Sequence, residues 1–228
     1  MMHTPASISV IVPLLNEADA MPDLISQLRS FVRQGAEVLL VDGGSIDGSV
    51  ALAQAAGLTV LASKPGRARQ MNHGAAATTR ALLLFVHADT TLPQQALETI
   101  ASSLRDTACW GRFDVEITPG PALLKVVALL MNWRSRLTGI ATGDQALFMT
   151  RAAFERVGGF PDQPLMEDID LSTRLRRQAW PVCLRDRVKT SGRRWEKYGV
   201  WSTVFLMWRL RWAYWRGVPA SVLAQRYR

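Results

Sequence analysis

Cysteine is scarce in this 228-residue chain: Cys109 and Cys183 are its two, each in an apolar stretch and neither in a CxxC or His/Cys cluster. That excludes a disulfide framework and a structural zinc site, and it fits a reducing, cytosolic compartment. No run reaches the roughly 18 apolar residues that a membrane-crossing helix needs. The nearest candidate, Val126–Trp133, is closed off by Lys125 and Arg134. The first apolar run, Ile8–Leu15, lacks a basic preceding segment and contains Pro13, so no export leader is expected. No internal repeat and no Ser/Pro/Gly-rich linker divides the chain. What remains, at 48% apolar and 20% charged, is the composition of a packed globular protein.

Charge is unevenly placed. The net charge is +8, yet residues 1–184 carry 16 Lys/Arg against 17 Asp/Glu, whereas residues 185–228 carry 11 against 2. Five of the eight tryptophans share that basic tail: Trp195, Trp201, Trp208, Trp212 and Trp215. This divides the chain into a domain over 1–190 and a basic, Trp-rich helical appendage over 191–228.

Within the domain, short aliphatic runs alternate with helical patterns. Ile8–Val12, Val38–Val41, Leu58–Leu61 and Leu82–Val86 read as strands apolar on both faces. Asp23–Val32, Ser49–Ala56 and Arg67–Thr79 read as crossover helices. This βαβ alternation predicts an α/β fold with a Rossmann-like, mostly parallel sheet flanked by helices. Further along, Trp110–Thr118, Ala146–Thr150 and Val182–Leu184 read as strands. Pro121–Leu137 reads as an amphipathic or buried helix, a short helix ends at Gly158-Gly159, and Glu167–Gln178 is helical. Ligands of such sheets bind beyond the strands' carboxyl ends, where this sequence places Asn16-Glu17, Asp42 and His87-Ala88-Asp89.

Each motif admits a chemical and a purely structural reading. Asp42-Gly43-Gly44-Ser45-Ile46-Asp47-Gly48-Ser49 can offer Asp42 to a base or ribose donor, or can simply cap a helix. It lacks the GxGxxG spacing of dinucleotide-binding dehydrogenases. Arg67 and Arg69, at the start of a helix, suit a pyrophosphate or a solvated face. Asp89 could hold a hard cation together with substrate phosphates, with His87 as a second ligand, or could cap the next segment. Glu167, Asp168 and Asp170 sit where a helix macrodipole favours acids. Because successive helical residues do not share a face, Asp168 in a cleft would send Glu167 and Asp170 elsewhere.

Together these segments resemble the family-2 inverting glycosyltransferases of GT-A fold, over roughly residues 8–180. The resemblance is carried by Pro13-Leu14-Leu15-Asn16-Glu17, the 42–49 loop, His87-Ala88-Asp89, Gly158-Gly159-Phe160 and Glu167-Asp168-Ile169-Asp170-Leu171. Gly66-Arg67-Ala68-Arg69-Gln70-Met71-Asn72 and Ser191-Gly192-Arg193-Arg194-Trp195 are similar to segments of small, stand-alone bacterial members. The resemblance implies Glu17 and Asp42 on the nucleoside of a UDP- or GDP-sugar, and Arg67 and Asn72 near the phosphates or sugar. It also implies Mg2+ or Mn2+ on Asp89, and Asp168 as the base that deprotonates the acceptor. Arg193 and Arg194 are placed to close over the diphosphate. Gly143, Asp144, Gln145 and Glu167 are expected on the acceptor side. Two departures stand out: Gly43 replaces the second Asp of the usual Asp-Asp-Gly-Ser, and His87 replaces the first Asp of Asp-x-Asp.

In the tail, Trp201, Phe205, Trp208, Trp212 and Trp215 fall on one stripe of a helix spanning about Tyr198 to Arg216, flanked by Arg209, Arg211 and Arg216. An interfacial helix has this pattern, with rings at headgroup level and cations on lipid phosphates. The stripe could equally pack on the domain or on a second subunit as a homodimer. No nucleic-acid reading module is present. The expected protein is therefore a cytoplasmic enzyme, peripheral on the cytoplasmic face of the membrane, with an acceptor that the sequence does not identify. The alternatives are a sugar-phosphate nucleotidyltransferase and a non-catalytic membrane adaptor. The first wants a Gly-rich phosphate loop after the first strand, where this chain has Pro13-Leu14-Leu15-Asn16-Glu17.

Overall fold

The computed structural model describes residues 3–104 and 108–227. Its strands are β1 (Ile8–Leu14), β2 (Glu37–Asp42), β3 (Thr59–Ala62), β4 (Leu82–Phe85), β5 (Thr90–Thr91), β6 (Trp110–Thr118), β7 (Phe148–Thr150) and β8 (Val182–Ser191). They form one mixed sheet of order β3-β2-β1-β4-β7-β6-β8-β5. β1, β2, β3 and β4 pair in parallel, and β7 then runs antiparallel to both β4 and β6. The helices are α1 (Met21–Arg33), α2 (Ser49–Ala55), α3 (Arg67–Ala76), α4 (Ala96–Ser103), α5 (Leu123–Thr138), α6 (Arg151–Arg156), α7 (Glu167–Arg176), α8 (Arg193–Tyr198), α9 (Val200–Trp215) and α10 (Ala220–Tyr227).

Strand alternation divides the core in two. Ile8, Val10, Val12, Leu40, Leu82 and Leu84 face one layer, with Leu24 and Leu28 of α1, Ile100 of α4 and Leu124 of α5. Ile11, Leu39, Val41, Leu83 and Phe85 face the other, with Met71 of α3, Phe154 of α6 and Leu171 of α7. Residues alternating across the pleat explain why these strands read as apolar throughout. The chain steps outward from β1 to β3 and returns through α3 to β4 on the other side of β1. That reversal opens a crevice at the carboxyl ends of β1 and β4.

The structure corrects several expectations. β3 is an edge strand, with Thr59 exposed and Val60 and Leu61 only partly buried, so it is not covered on both faces. β8 continues to Ser191 because Arg185, Asp186 and Arg187 face solvent while Val188 and Thr190 turn inward, a charged edge that hides a strand. α4, α8 and α10 are additional helices, α8 being set off by Gly199 from the expected tail helix, which runs Val200–Trp215. Met166, Leu210 and Leu223 form a small core of their own, so the inner face of α9 packs on α10 and on the segment before α7. The aromatic stripe points the other way: Trp201, Phe205, Trp208, Trp212 and Trp215 are 60 to 79% exposed.

α5 is amphipathic in an unexpected sense, because its sheet-facing side is partly polar. Asn132 exchanges hydrogen bonds with the Val115 backbone at 2.8 and 3.0 Å. The fully buried Arg112 of β6 donates to Ser135 Oγ (3.0 Å) and Asn132 O (3.1 Å), and it pairs with Asp114. Arg136 closes on the same Asp114 at 2.6 Å. Breaking a buried pair by removing one partner costs about 3–5 kcal/mol, against under about 1 kcal/mol for a solvated one. Arg112→Ala is therefore expected to lower unfolding stability by about 3–5 kcal/mol in urea titration; Arg136→Ala should cost much less, and equal effects would contradict the assignment.

Candidate active site

The loops after β1 and β2 are laced together. Asn16 and Glu17 N–H donate to Ser45 Oγ and Ser49 Oγ, each at 2.9 Å, while Ile46 N–H donates to Asn16 Oδ1 at 2.9 Å. Asp42, buried at the end of β2, accepts from the N–H groups of Gly44 (2.9 Å) and Ser45 (3.1 Å), which fixes its carboxylate at the crevice rim. Beneath it the buried Gln70 amide donates to Leu14 O (2.8 Å) and Val41 O (2.7 Å), pinning the ends of β1 and β2 to α3. A Cβ at position 43 would lie 3.0 Å from the Gln70 amide carbon. Gly43 therefore accompanies Gln70, and an Asp there would crowd it.

Across the reversal, Glu17 and Asp89 act on one another. Burial first, and then the charge of Asp89, raises the Glu17 carboxyl above its ordinary value. Two cations reach into this acidic mouth: Arg193 stands 3.9 Å from Glu17, and Arg67 stands 3.7 Å from Glu167. Behind Asp89, the imidazole of His87 is pressed against Gly143, where a Cβ would lie 2.5 Å from Nε2 and Cε1. Burial, aided by Arg67, holds His87 well below its usual range and therefore neutral.

α7 brings up the second half. Asp168 Oδ2 accepts the Gly143 N–H at 2.8 Å, and its Oδ1 accepts the Ile169 N–H at 2.7 Å. Glu167 and Asp168, with His87, Gly143 and Phe160, line one small cavity. Both acids therefore face the site, contrary to the helical-face expectation. They head the first turn, directly after a left-handed Met166 (φ 65°), so the cavity lies at the end of the helix rather than along one of its faces. Asp170 does point away, to Arg174 at 2.6 Å. Burial, and next the charge of Asp168, raises the Glu167 carboxyl to about 7.

Other expected site residues have different tasks. Asn72 holds the Phe160 backbone from both sides, donating to its carbonyl at 2.8 Å and accepting its N–H at 2.9 Å; its amide thereby anchors the Gly158-Gly159-Phe160 turn. Arg194 turns away from the crevice to donate to Tyr227 O at 2.8 Å and stack on the Tyr227 ring at 3.7 Å, which ties down α10. Gln145 is fully buried and joins the 142–145 turn to Asn132 of α5 at 3.4 Å. Asp144 is hydrogen-bonded by Thr142, and burial raises its carboxyl. Near Asp144 and Asp168 lies Arg134, whose enclosed Nε and Nη2 have no hydrogen-bond partner among the described residues. Gln70 and Arg134 were not singled out in the sequence; the available signals were a polar residue inside the Arg67–Asn72 segment and an arginine in an apolar helix.

Among the described residues no group of three or more His, Cys, Asp or Glu forms a cation cage. The donor set instead suits a divalent ion held partly by a ligand's phosphates. Among the described residues the Asp89 carboxylate receives only a 3.5 Å contact from Thr90 Oγ1, and it faces the excess negative charge it shares with Glu17. The neutral His87 retains a nitrogen lone pair.

Residues 9–152 match the family described as Glycosyl transferase family 2. Glycosyltransferase AglJ of Haloferax volcanii is 43% identical over 61 residues, which are 26% of this chain and 19% of that protein. In structure, the chain is similar to a mannosyltransferase from Pyrobaculum calidifontis in complex with GDP-Man and Mn2+. The TM-score is 0.63 at 22% identity, covering 82% of this chain and 58% of that one. Glucosyl-3-phosphoglycerate synthase from Mycobacterium tuberculosis, in complex with Mn2+, UDP and glucosyl-3-phosphoglycerate, gives 0.60 at 18% identity over 82% and 71% of the two chains. S. aureus TarS with UDP-GlcNAc gives 0.64 at 16% identity over 81% and 58%. These likenesses identify the GT-A fold. The chain spans about a fifth of AglJ and just over half of the mannosyltransferase. On the family match over most of its length, this chain belongs to glycosyltransferase family 2.

Proposed function

We propose that the protein transfers a sugar, with inversion, from a UDP- or GDP-sugar to an acceptor hydroxyl at the cytoplasmic surface of a membrane. The observation that carries this reading is the meeting of Glu17, Arg67, His87, Asp89, Glu167 and Asp168 around one crevice at the strands' carboxyl ends. Asp42 and Glu17 would receive the nucleoside. Arg67 and Arg193 supply positive charge where a diphosphate departs, a role that electrostatic preorganisation favours. Asp89 and His87 would hold Mg2+ or Mn2+, which when bound neutralises charge on the leaving diphosphate. Relatives with GDP-Man and Mn2+, or with UDP and Mn2+, support both donor and ion.

Asp168 is the base in this reading. The acceptor O–H gives its proton to the Asp168 carboxylate, the oxygen bonds to the anomeric carbon from the opposite face, and the carbon–phosphate oxygen bond breaks. The Gly143 N–H orients one carboxylate oxygen, and Gly143 and Glu167 border the acceptor side. Residues 191–228 form the membrane-facing appendage. No helix among the described residues is long and apolar enough to cross a membrane. The exposed stripe of α9, with Arg209 and Arg216 beside it, instead supports attachment at the surface. Membership in a glycosyltransferase family disfavours the nucleotidyltransferase alternative.

Three outcomes test this reading. Asp168→Asn should lower donor turnover by about 10²–10⁴-fold, the usual contribution of a positioned acid or base, with donor affinity unchanged; retained turnover would overturn the base assignment. In thermal-shift titrations with UDP or GDP, Mn2+ should raise the melting temperature of the wild type further, and Asp89→Asn should lose that increment alone. Glu167 titrates at about 7 in the fold against 4.5 ordinarily. Between those values the native state holds a proton that the unfolded chain lacks, so this group's contribution to stability declines as pH rises. The melting temperature of the wild type relative to Glu167→Gln should therefore fall from about pH 5 to pH 8, and a difference constant with pH would contradict it.

A further inference from the structure

α5 presents its most apolar side to the outside. Asn132 and Ser135 are turned into the protein, whereas Val126, Leu129, Leu130, Trp133 and Leu137 are 50 to 70% exposed on one stripe. Exposed apolar side chains are unremarkable singly, but a contiguous helical stripe marks a contact surface. Beside it, a groove of about 640 Å³ runs between α5 and β8, with Leu129 and Trp133 on one wall, Lys125, Arg185 and Arg187 among its cations, and Glu116 as an acid beside them. A register irregularity opposite Phe113/Asp114 leaves Arg185 exposed on the bulged strand. Asp114 is taken up by Arg112 and Arg136. Among the described residues, Lys125, Arg185 and Arg187 form no ion pair.

We propose that this stripe and groove are a second docking face for an anionic phospholipid bilayer, separate from α9. Leu129, Leu130 and Trp133 enter the boundary of headgroups and acyl chains, and Lys125, Arg185 and Arg187 meet the phosphates. Charge selects this occupant over a second copy of the chain. In a two-fold dimer the patch would meet a copy of itself, so two sets of these cations would share one interface with two copies of Glu116 as the acid facing them. Three of these cations against one Glu116 leave the groove net positive, so an anionic surface complements it and accepts the apolar stripe alongside. The opposite, buried side of α5 is tied to the tail: Leu124 lies 3.5 Å from where a Cβ on Gly192 would stand, and Trp195 and Val200 pack on the same core as Val127 and Met131. The inference deepens the membrane-surface reading and rests on it for the bilayer, but it is independent of the transfer chemistry.

The test is co-sedimentation of the full chain with phosphatidylcholine vesicles, with and without phosphatidylglycerol. Leu129→Ser/Trp133→Ser, Arg185→Gln/Arg187→Gln and Trp208→Ser/Trp212→Ser are compared with the wild type. All six positions are exposed, and unchanged melting temperatures with unchanged nucleotide-induced shifts verify that each variant folds. The wild type should bind the anionic vesicles selectively. The α5 pair should weaken that binding at least tenfold, and the arginine pair by about 30-fold, the effect of about 1 kcal/mol for each of two surface cations. If only the α9 pair loses binding, this inference falls and the membrane reading stands. If the wild type ignores anionic vesicles, both fall. A wild-type dimer that the α5 pair renders monomeric, with vesicle binding unaltered, would assign the face to a second copy and overturn the proposal.

Discussion

The two halves of the proposed catalytic crevice meet at Gly143, whose N–H donates to Asp168 at 2.8 Å and whose bare Cα lies against His87. The first half of the chain supplies the crevice at the reversal of strand order between β1 and β4, together with Glu17, Asp42 and Asp89. The second half supplies the acids of α7. Gly143 also leaves the space into which His87 packs, so the same glycine positions a ring from one half and a carboxylate from the other. A side chain at that position would have to displace the imidazole, and the contact with Asp168 would shift with it.

Around this joint the electrostatics are deliberately unequal. Glu17, Asp89, Glu167 and Asp168 outnumber Arg67 and Arg193, and burial first, with the neighbouring carboxylates second, raises the Glu17 carboxyl and takes Glu167 to about 7. Arg67 and Arg193 are only loosely engaged, at 3.7 and 3.9 Å. Such long contacts leave both guanidinium groups free to exchange a protein carboxylate for a phosphate, and they leave the acidic mouth short of positive charge. A nucleotide diphosphate arriving with a divalent cation would satisfy both requirements.

The alternation of buried strands and crossover helices made the first four strands legible, and with them the positions of Glu17, Asp42 and Asp89. Each is a charged residue directly after an apolar run. Side-chain roles were less legible where the partner is distant in sequence. Asn72 and Arg194 belong to suggestive segments, yet their partners are the backbones of Phe160 and Tyr227, which sequence spacing cannot reveal. Gln145 looked like an acceptor-side residue and is instead buried under α5. β8 was foreshortened because its outward residues are Arg185, Asp186 and Arg187, a pattern that reads as a loop. The inversion of α5 was hidden as well, since Ser135 faces inward to the buried Arg112 and Asn132 to the Val115 backbone, partners distant in sequence.

The most direct measurement of the central claim is a crystal structure grown with Mn2+ and UDP or GDP. The account predicts the cation on Asp89, the diphosphate between Arg67 and Arg193, and the nucleoside beside Asp42, with the Asp168 carboxylate facing the sugar side. A nucleotide seated away from the β1–β4 crevice, or a cation bound there without Asp89, would contradict it.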